Sequence, residues 1–186
     1  MKITAFSSTP RMRGNSDILT DRAVEAAEQA GATVEKLRLG DYSISPCTAC
    51  EACRSSGDDR CIIDDDGNFL LSKIKKSDGI ILASSIYFFT MSAQLKILID
   101  RFYALGGDGY WSAFTGKRLG VILTYEDHDP LASGVVNAAG TFKDAARFLK
   151  MELAGIIHAC CGPEADVLGN PEALEAAEEL GRKLAG

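Results

Sequence analysis

Four of the chain's six cysteines fall within fifteen positions, in the stretch SPCTACEACRSSGDDRCIIDDDG that runs from residue 45 to 67. Their spacing is Cys47-x2-Cys50-x2-Cys53-x7-Cys61. Thiolates this close together serve zinc, an iron–sulfur cluster or thiol redox chemistry, and spacing helps to separate these. Zinc ribbons and fingers usually take two separated C-x2-C pairs, or one pair with histidines. Three cysteines at strict x2 intervals instead match the run that wraps one [4Fe–4S] cubane. The spacer before Cys61 contains Ser55, Ser56 and Gly57, which lets the chain return and complete a four-cysteine set. The expected occupant of Cys47, Cys50, Cys53 and Cys61 is therefore a [4Fe–4S] cluster. Zinc is the lesser alternative, and a disulfide or idle thiols come last.

Nearby groups carry less. Asp64, Asp65 and Asp66 read as the cap and negative first turn of a helix rather than as ligands. Cys160 and Cys161, adjacent at a strand end, read as small buried hydrophobes. His128 reads as a solvated loop residue, and His158 as a satisfied core or edge histidine.

A second concentration of chemistry lies at residues 7–16, SSTPRMRGNS. It offers the hydroxyls of Ser7, Ser8, Thr9 and Ser16, the guanidinium groups of Arg11 and Arg13, and the Asn15 amide, and it leads into a helix. Backbone N–H groups and the dipole at a helix start attract an anion, and hydroxyls and guanidinium satisfy its oxygens. Neither G-x-x-x-x-G-K-[ST] nor G-x-G-x-x-G is present, so neither a nucleotide P-loop nor a dinucleotide fingerprint explains it. A plain polar loop capped by Asn15 or Ser16 is the alternative. The third concentration is SSIYFFTMSAQLK, residues 84–96, where Tyr87, Phe88, Phe89 and Met91 load a connection with apolar surface. Such a loop covers a flat ligand or a partner subunit, unless it folds under its neighbouring helix.

The elements that must position these loops alternate. KITAFSS reads as a first strand, followed by a helix from about Ser16 with Leu19, Ala23, Ala26 and Ala30 on one face. TVEKLRL alternates as a half-exposed edge strand does, and NFLLSKIKK reads as a short helix. GIILAS and RLGVILTY are continuous apolar runs suited to strands buried on both faces, separated by the helix SAQLKILIDRFYAL. Phe142, Ala146, Leu149 and Leu153 stripe a fourth helix. GIIHACC is the last strand, and a final helix starts with Asn170 as cap and Pro171 at its first position. Five strands with helices between them predict an α/β, doubly wound, flavodoxin-like parallel sheet in the order 2-1-3-4-5. The cysteine segment at 47–61 then forms an inserted loop after strand two, within a single domain over 1–186. Ligands of such sheets bind at the carboxyl ends of the strands, where all three loops emerge.

Composition sets the class. The chain has 186 residues, 46% of them hydrophobic and 25% charged, and a formal net charge of −6. That balance disfavours nucleic acid and anionic membrane surfaces. The N-terminus shows neither a signal-peptide pattern nor a run long enough to span a bilayer, so the expected location is cytoplasmic, where clustered cysteines are ligands or redox groups more often than disulfides.

These residues carry a resemblance. STPRMRGNS is similar to the G-S-P-R-x-x-G-N-[ST] phosphate loop of NADPH-dependent FMN reductases and related flavodoxin-like proteins. SSIYFFTMSAQLKILIDR is similar to that family's S-P-x-Y-x-x-x-x-S-A-x-L-K-x-x-I-D-R, which contacts the flavin ring and enters a dimer-forming helix. The cysteine run resembles that of the iron–sulfur flavoproteins within the superfamily. The likeness covers residues 1 to about 105, with Ser8 in place of the usual Gly and Ser85 in place of the usual Pro. It implies FMN, its phosphate held by Thr9, Arg11, Asn15 and Ser16 within the Ser7–Ser8 loop, and its ring edge lined by Ser85, Ile86, Tyr87, Phe88 and Thr90, with Thr124 from the loop after strand four.

The function this implies is electron transfer from a one-electron donor such as ferredoxin, through the cluster to FMN and on to an acceptor. The alternatives are an NAD(P)H-dependent FMN or quinone reductase with a structural metal at the cysteines, and a redox- or metal-sensing binding module. No side chain declares itself a catalytic acid or base. Surplus apolar residues (Phe89, Ile97 and Tyr103) predict a homodimer or dimer of dimers.

Overall fold

The computed structural model describes residues 1–57, 59–106 and 113–186. Its strands are β1 (Lys2–Ser7), β2 (Thr33–Arg38), β3 (Gly79–Tyr87), β4 (Thr90–Met91), β5 (Arg118–Tyr125) and β6 (Glu152–Cys160). Its α-helices are α1 (Asn15–Gln29), α2 (Ala52–Ser56), α3 (Gly67–Lys75), α4 (Ala93–Arg101), α5 (Pro130–Ser133), α6 (Val135–Phe148) and α7 (Pro171–Ala185). The sheet path is β2-β1-β3-β5-β6, parallel throughout, and the two-residue β4 folds back antiparallel onto the end of β3. The expected strand order therefore holds for the five long strands, and the count is corrected from five to six. Two residues carry too little pattern for periodicity to find.

Burial explains the order. β1, β3 and β5 are buried along nearly all their length, because each has a neighbour on both sides and helices on both faces. β2 pairs only with β1 and is mostly half-buried, as its polar alternation required. Helices α3, α4 and α6 cover one face through Leu70, Leu71, Ile74, Leu95, Leu98 and Phe142. Helices α1 and α7 cover the other through Leu19, Ala23, Ala27, Leu180 and Leu184. Each such side chain removed from water contributes about 1.5–3 kcal/mol. The last helix starts as read, with Asn170 Oδ1 accepting from the Ala173 N–H at 3.0 Å. One stripe misleads: α6 ends at Phe148, and Leu153 belongs to β6.

Register brings the loops together. Ser7 of β1 pairs with Ala83 of β3, Ser85 with Thr124 of β5, and Tyr125 with Cys160 of β6. The carboxyl ends of four strands thus form one rim.

Candidate functional site

The rim encloses a cleft lined by Thr9, Arg11, Gly14 and Asn15 from the first loop, Ser85, Ile86 and Tyr87 from β3, Thr124, Tyr125 and Glu126 from β5, and Cys161 and Gly162 after β6. Helix α1 begins at Asn15 with Gly14 as its N-cap, without a side-chain cap. The Gly14 carbonyl accepts from the N–H groups of Asp17 and Ile18. Among the described residues the Asn15 and Ser16 N–H groups have no such partner, which is the state of a helix start open to an anion. A Cβ at position 14 would stand 2.4 Å from Thr9 Oγ1, so the loop closes only around glycine. Among the described residues the buried Ser7 and Ser16 hydroxyls have no hydrogen-bond partner. Buried polar groups are nearly always paired, and two orphans beside a helix start suit a ligand rich in acceptors.

Other expected phosphate contacts are placed differently. The Asn15 Nδ2 donates to the Pro163 carbonyl at 2.8 Å, and its Oδ1 accepts from the Val167 N–H at 3.1 Å. Its side chain thus ties the loop to the turn after β6, and its backbone N–H is the part left for an anion. The Ser8 hydroxyl donates to the Ala83 carbonyl at 2.8 Å and accepts from the Ser92 hydroxyl at 2.8 Å, which leaves it no proton for an anion. Arg11 is exposed at the lip, with its carbonyl held by Arg38 Nη2 at 3.3 Å.

At the other end of the cleft, Thr124 Oγ1 donates to Ser85 Oγ at 3.1 Å. The β3–β4 hairpin turns through Phe88 and Phe89 at φ 45° and 67°. Two-residue hairpins favour this left-handed geometry but take it with Asn or Gly, so two phenylalanines there are strained. Phe88 is 95% exposed, and with Phe89 it borders a second hollow beside Tyr125, Glu126 and Asp127. Of the expected contacts, Ser7, Ser8, Ser16, Phe88 and Thr90 do not line the main cleft. Cys161 does, and nothing in the sequence reading pointed to it. Burial first, then Asp166 and Cys160, push its thiol up to about 11. Cys160 faces elsewhere, its Sγ 3.7 Å from His128 Nδ1.

The cysteines form a second centre. Cys47, Cys50, Cys53 and Cys61 all line one small cavity, with Asp100, Arg101 and Tyr103 in its wall. The backbone curls around it: Ala49 and Glu51 flank Cys50 at φ 52° and 57°, and the Ala49 N–H donates to Cys47 Sγ at 3.4 Å. Burial and then Cys61 raise the Cys53 thiol, whereas the Ala52 N–H and then the Thr48 hydroxyl lower that of Cys50. Among the described residues no three His, Cys, Asp or Glu side chains already converge as a metal site.

The acidic run caps α3 only in part: Asp65 Oδ1 accepts from the Gly67 N–H at the helix start at 2.9 Å. Asp66 occupies the N-cap position without a side-chain cap bond. Its Oδ2 accepts from the Ser43 N–H at 2.8 Å, and Asp65 Oδ2 accepts from the Ser45 N–H at 2.7 Å. The two carboxylates grip the irregular segment that leads into Cys47. Burial alone would raise the Asp65 carboxyl, but Arg101 and the Ser45 and Gly67 N–H groups outweigh it and hold it below the usual range. Asn68 grips the other arm, its Oδ1 accepting from the Cys61 N–H at 2.9 Å and its Nδ2 donating to the Cys61 carbonyl at 3.1 Å. The sequence pointed to neither Arg101 nor Asn68.

The cleft and the cavity share no lining residue. Helix α4 joins them: its cap Ser92 bonds Ser8 of the first loop, and its last residue Arg101 lies in the cavity wall. Nine helical residues rise about 13 Å, which is the span of α4 from its capped start to the cavity wall.

Comparison with known proteins settles the family. A family model described as NADPH-dependent FMN reductase matches residues 1–151. The chain belongs to that family. Its domain is therefore that of an FMN-dependent oxidoreductase. An iron–sulfur flavoprotein of Methanocaldococcus jannaschii is 42% identical over 101 residues, covering 54% of this chain and 51% of that protein. One from Archaeoglobus fulgidus is 34% identical over 125 residues, covering 67% and 54%. The chain thus spans about half the length of these curated relatives. The Trp repressor binding protein from Bacillus subtilis shares the fold, with a TM-score of 0.72 at 24% identity over 97% of this chain and 99% of that one. No helix among the described residues is long and apolar enough to cross a membrane.

Proposed function

We propose that the FMN reductase domain works as an iron–sulfur flavoprotein, taking single electrons from a donor such as ferredoxin at a [4Fe–4S] centre on Cys47, Cys50, Cys53 and Cys61 and passing them to an acceptor by way of FMN. The observation that carries this is the common cavity: cysteines up to fourteen positions apart line one hollow, which shares no described lining residue with the cleft. Four thiols without a competing histidine are the donor set of a cubane. The cleft suits FMN through the open start of α1 and the glycine that closes the loop, with the buried Ser7 and Ser16 hydroxyls unpaired among the described residues.

FMN and cluster supply the electron chemistry when bound, FMN handling one or two electrons and the cluster one. The chain's part is to hold and shield. The Thr9 and Ser16 hydroxyls, Arg11 and the N–H groups of Asn15 and Ser16 take the dianionic phosphate. Ser85 and Thr124 orient the ring edge, and Ile86 and Tyr87 exclude water from it.

The family's NADPH-dependent description favours a second reading, in which NAD(P)H delivers electrons to FMN and the cysteines hold a structural zinc ion. Anaerobic stopped-flow at the flavin absorbance separates the two. Reduced ferredoxin should reduce the wild-type flavin much faster than NADPH does, and a Cys50→Ala variant should lose that advantage. Rapid reduction of both proteins by NADPH and of neither by ferredoxin establishes the second reading instead.

A further inference from the structure

The cysteine cavity has a charged wall that the ligand set does not explain. Arg101 is the largest fully buried side chain of the described residues, with 0% of its side chain exposed. Its Nη1 donates to Asp65 Oδ2 at 3.0 Å and to the Ser45 carbonyl at 2.9 Å, and its Nη2 donates to Asp65 Oδ1 at 3.1 Å. Asp65 returns to the same segment by accepting from the Ser45 N–H. Both backbone groups of Ser45, two residues before Cys47, are thereby fixed by one ion pair. Asp65 also accepts from the Gly67 N–H at 2.9 Å, at the start of the helix whose Asn68 holds Cys61.

This is a costly way to hold a loop. A buried ion pair gains little over well-packed apolar side chains, because both charges lose their hydration. Nor is the pair complete: among the described residues the buried Arg101 Nε has no hydrogen-bond partner. Buried donors are nearly always paired, so an unpaired one calls for an explanation. Five donors in a planar fork allow both uses at once, since the Nη edge can clamp while Nε points along a different direction. Hydrogen bonds to the sulfurs are among the levers that set a cluster's potential.

We propose that Arg101, paired with Asp65, is the positioning residue of the four-cysteine centre, fixing the arm of Cys47 against the turn of Cys61 and keeping one buried N–H in the cavity wall for the sulfur held there. The proposal rests on reading the cysteines as a metal centre.

The test uses the wild type, Arg101→Lys, a double variant Asp65→Leu with Arg101→Met that leaves no unpaired buried charge, and Cys61→Ala. Each is freed of metal anaerobically, titrated with cobalt(II) while the thiolate charge-transfer absorption is followed, and then reconstituted with iron and sulfide. FMN content and circular dichroism report folding independently of the cavity. The wild type should bind one cobalt. The double variant should keep FMN and helical signal yet bind cobalt at least about tenfold more weakly. Arg101→Lys, which keeps the charge but lacks the fork and the Nε–H, should recover part of the affinity and give a cluster of lower potential. A folded double variant with wild-type cobalt affinity and wild-type potential for Arg101→Lys overturns the proposal. Equal cobalt binding by the wild type and Cys61→Ala instead removes the metal-centre reading on which it stands.

Discussion

Arg11 and Cys161 show how differently two residues of one cleft can be tested. Arg11 is exposed, its carbonyl anchored by Arg38, and its guanidinium has no protein partner among the described residues. A charge-assisted hydrogen bond contributes about 1.5–3 kcal/mol, so Arg11→Ala should weaken FMN binding about 10- to 100-fold in a fluorescence titration. Iron content should not change, because the cysteine cavity shares no wall with the cleft. Cys161 is tested by pH. Burial raises its thiol from 9.0 to about 11 in the folded chain. Below pH 9 folded and unfolded states both keep the proton. Above it the unfolded thiol ionises first, so Cys161's share of stability is lost between pH 9 and about 11. Denaturant titrations should show that alkaline loss in the wild type and a smaller one in Cys161→Ser. Arg11 was legible from the sequence because loop chemistry is local. Cys161 was not, because only the β5–β6 register turns a strand-end cysteine toward the cleft.

Two glycines of neighbouring elements should respond oppositely to the same substitution. Gly134, between α5 and α6, has φ +78°, and a Cβ there would lie 2.4 Å from Phe89 Cα. The hairpin tip rests on that bare backbone. Gly134→Ala should cost about 2 kcal/mol or more, lowering Tm by about 4–8 °C. Gly140 lies inside α6 with open space where its Cβ would be. Gly140→Ala should stabilise by about 0.5–1 kcal/mol, seen as a slightly higher Tm. Element by element, the long strands and the capped last helix could be read because buried parallel strands and Asn-Pro-Glu starts leave local patterns. β4 is two residues long and leaves none. The Asp65–Arg101 clamp joins positions 36 apart, and no periodicity signals a pair at that distance. The acidic run was therefore read only as a helix cap, whereas besides the Gly67 N–H its carboxylates hold the segment before Cys47.

At the scale of the whole molecule, the exposed aromatic tip is the feature a lone chain does not explain. Tyr87 is 44%, Phe88 95% and Phe89 59% exposed at one end of the sheet, and Ile97 and Tyr103 are half-buried. Patches of this kind mark interfaces, and two-fold dimers are the commonest solution. Sedimentation should find a dimer in the wild type and a shift toward monomer in Phe88→Asp; a concentration-independent monomer in the wild type contradicts the assembly. An interface would also bear on the path between the two centres, which share no described lining residue within one chain. The flavodoxin-like order and the rim of loops were legible because topology alone carries the three segments to one end. That cleft and cavity share no described lining residue was not, since it depends on how the cysteine segment packs against the end of α4. The central claim is that one chain carries both FMN and a four-iron cluster. Its most direct test is iron, acid-labile sulfide and flavin analysis of anaerobically prepared protein. About four irons and four sulfides per chain with one FMN is the predicted result; one zinc per chain with flavin and no labile sulfide contradicts it.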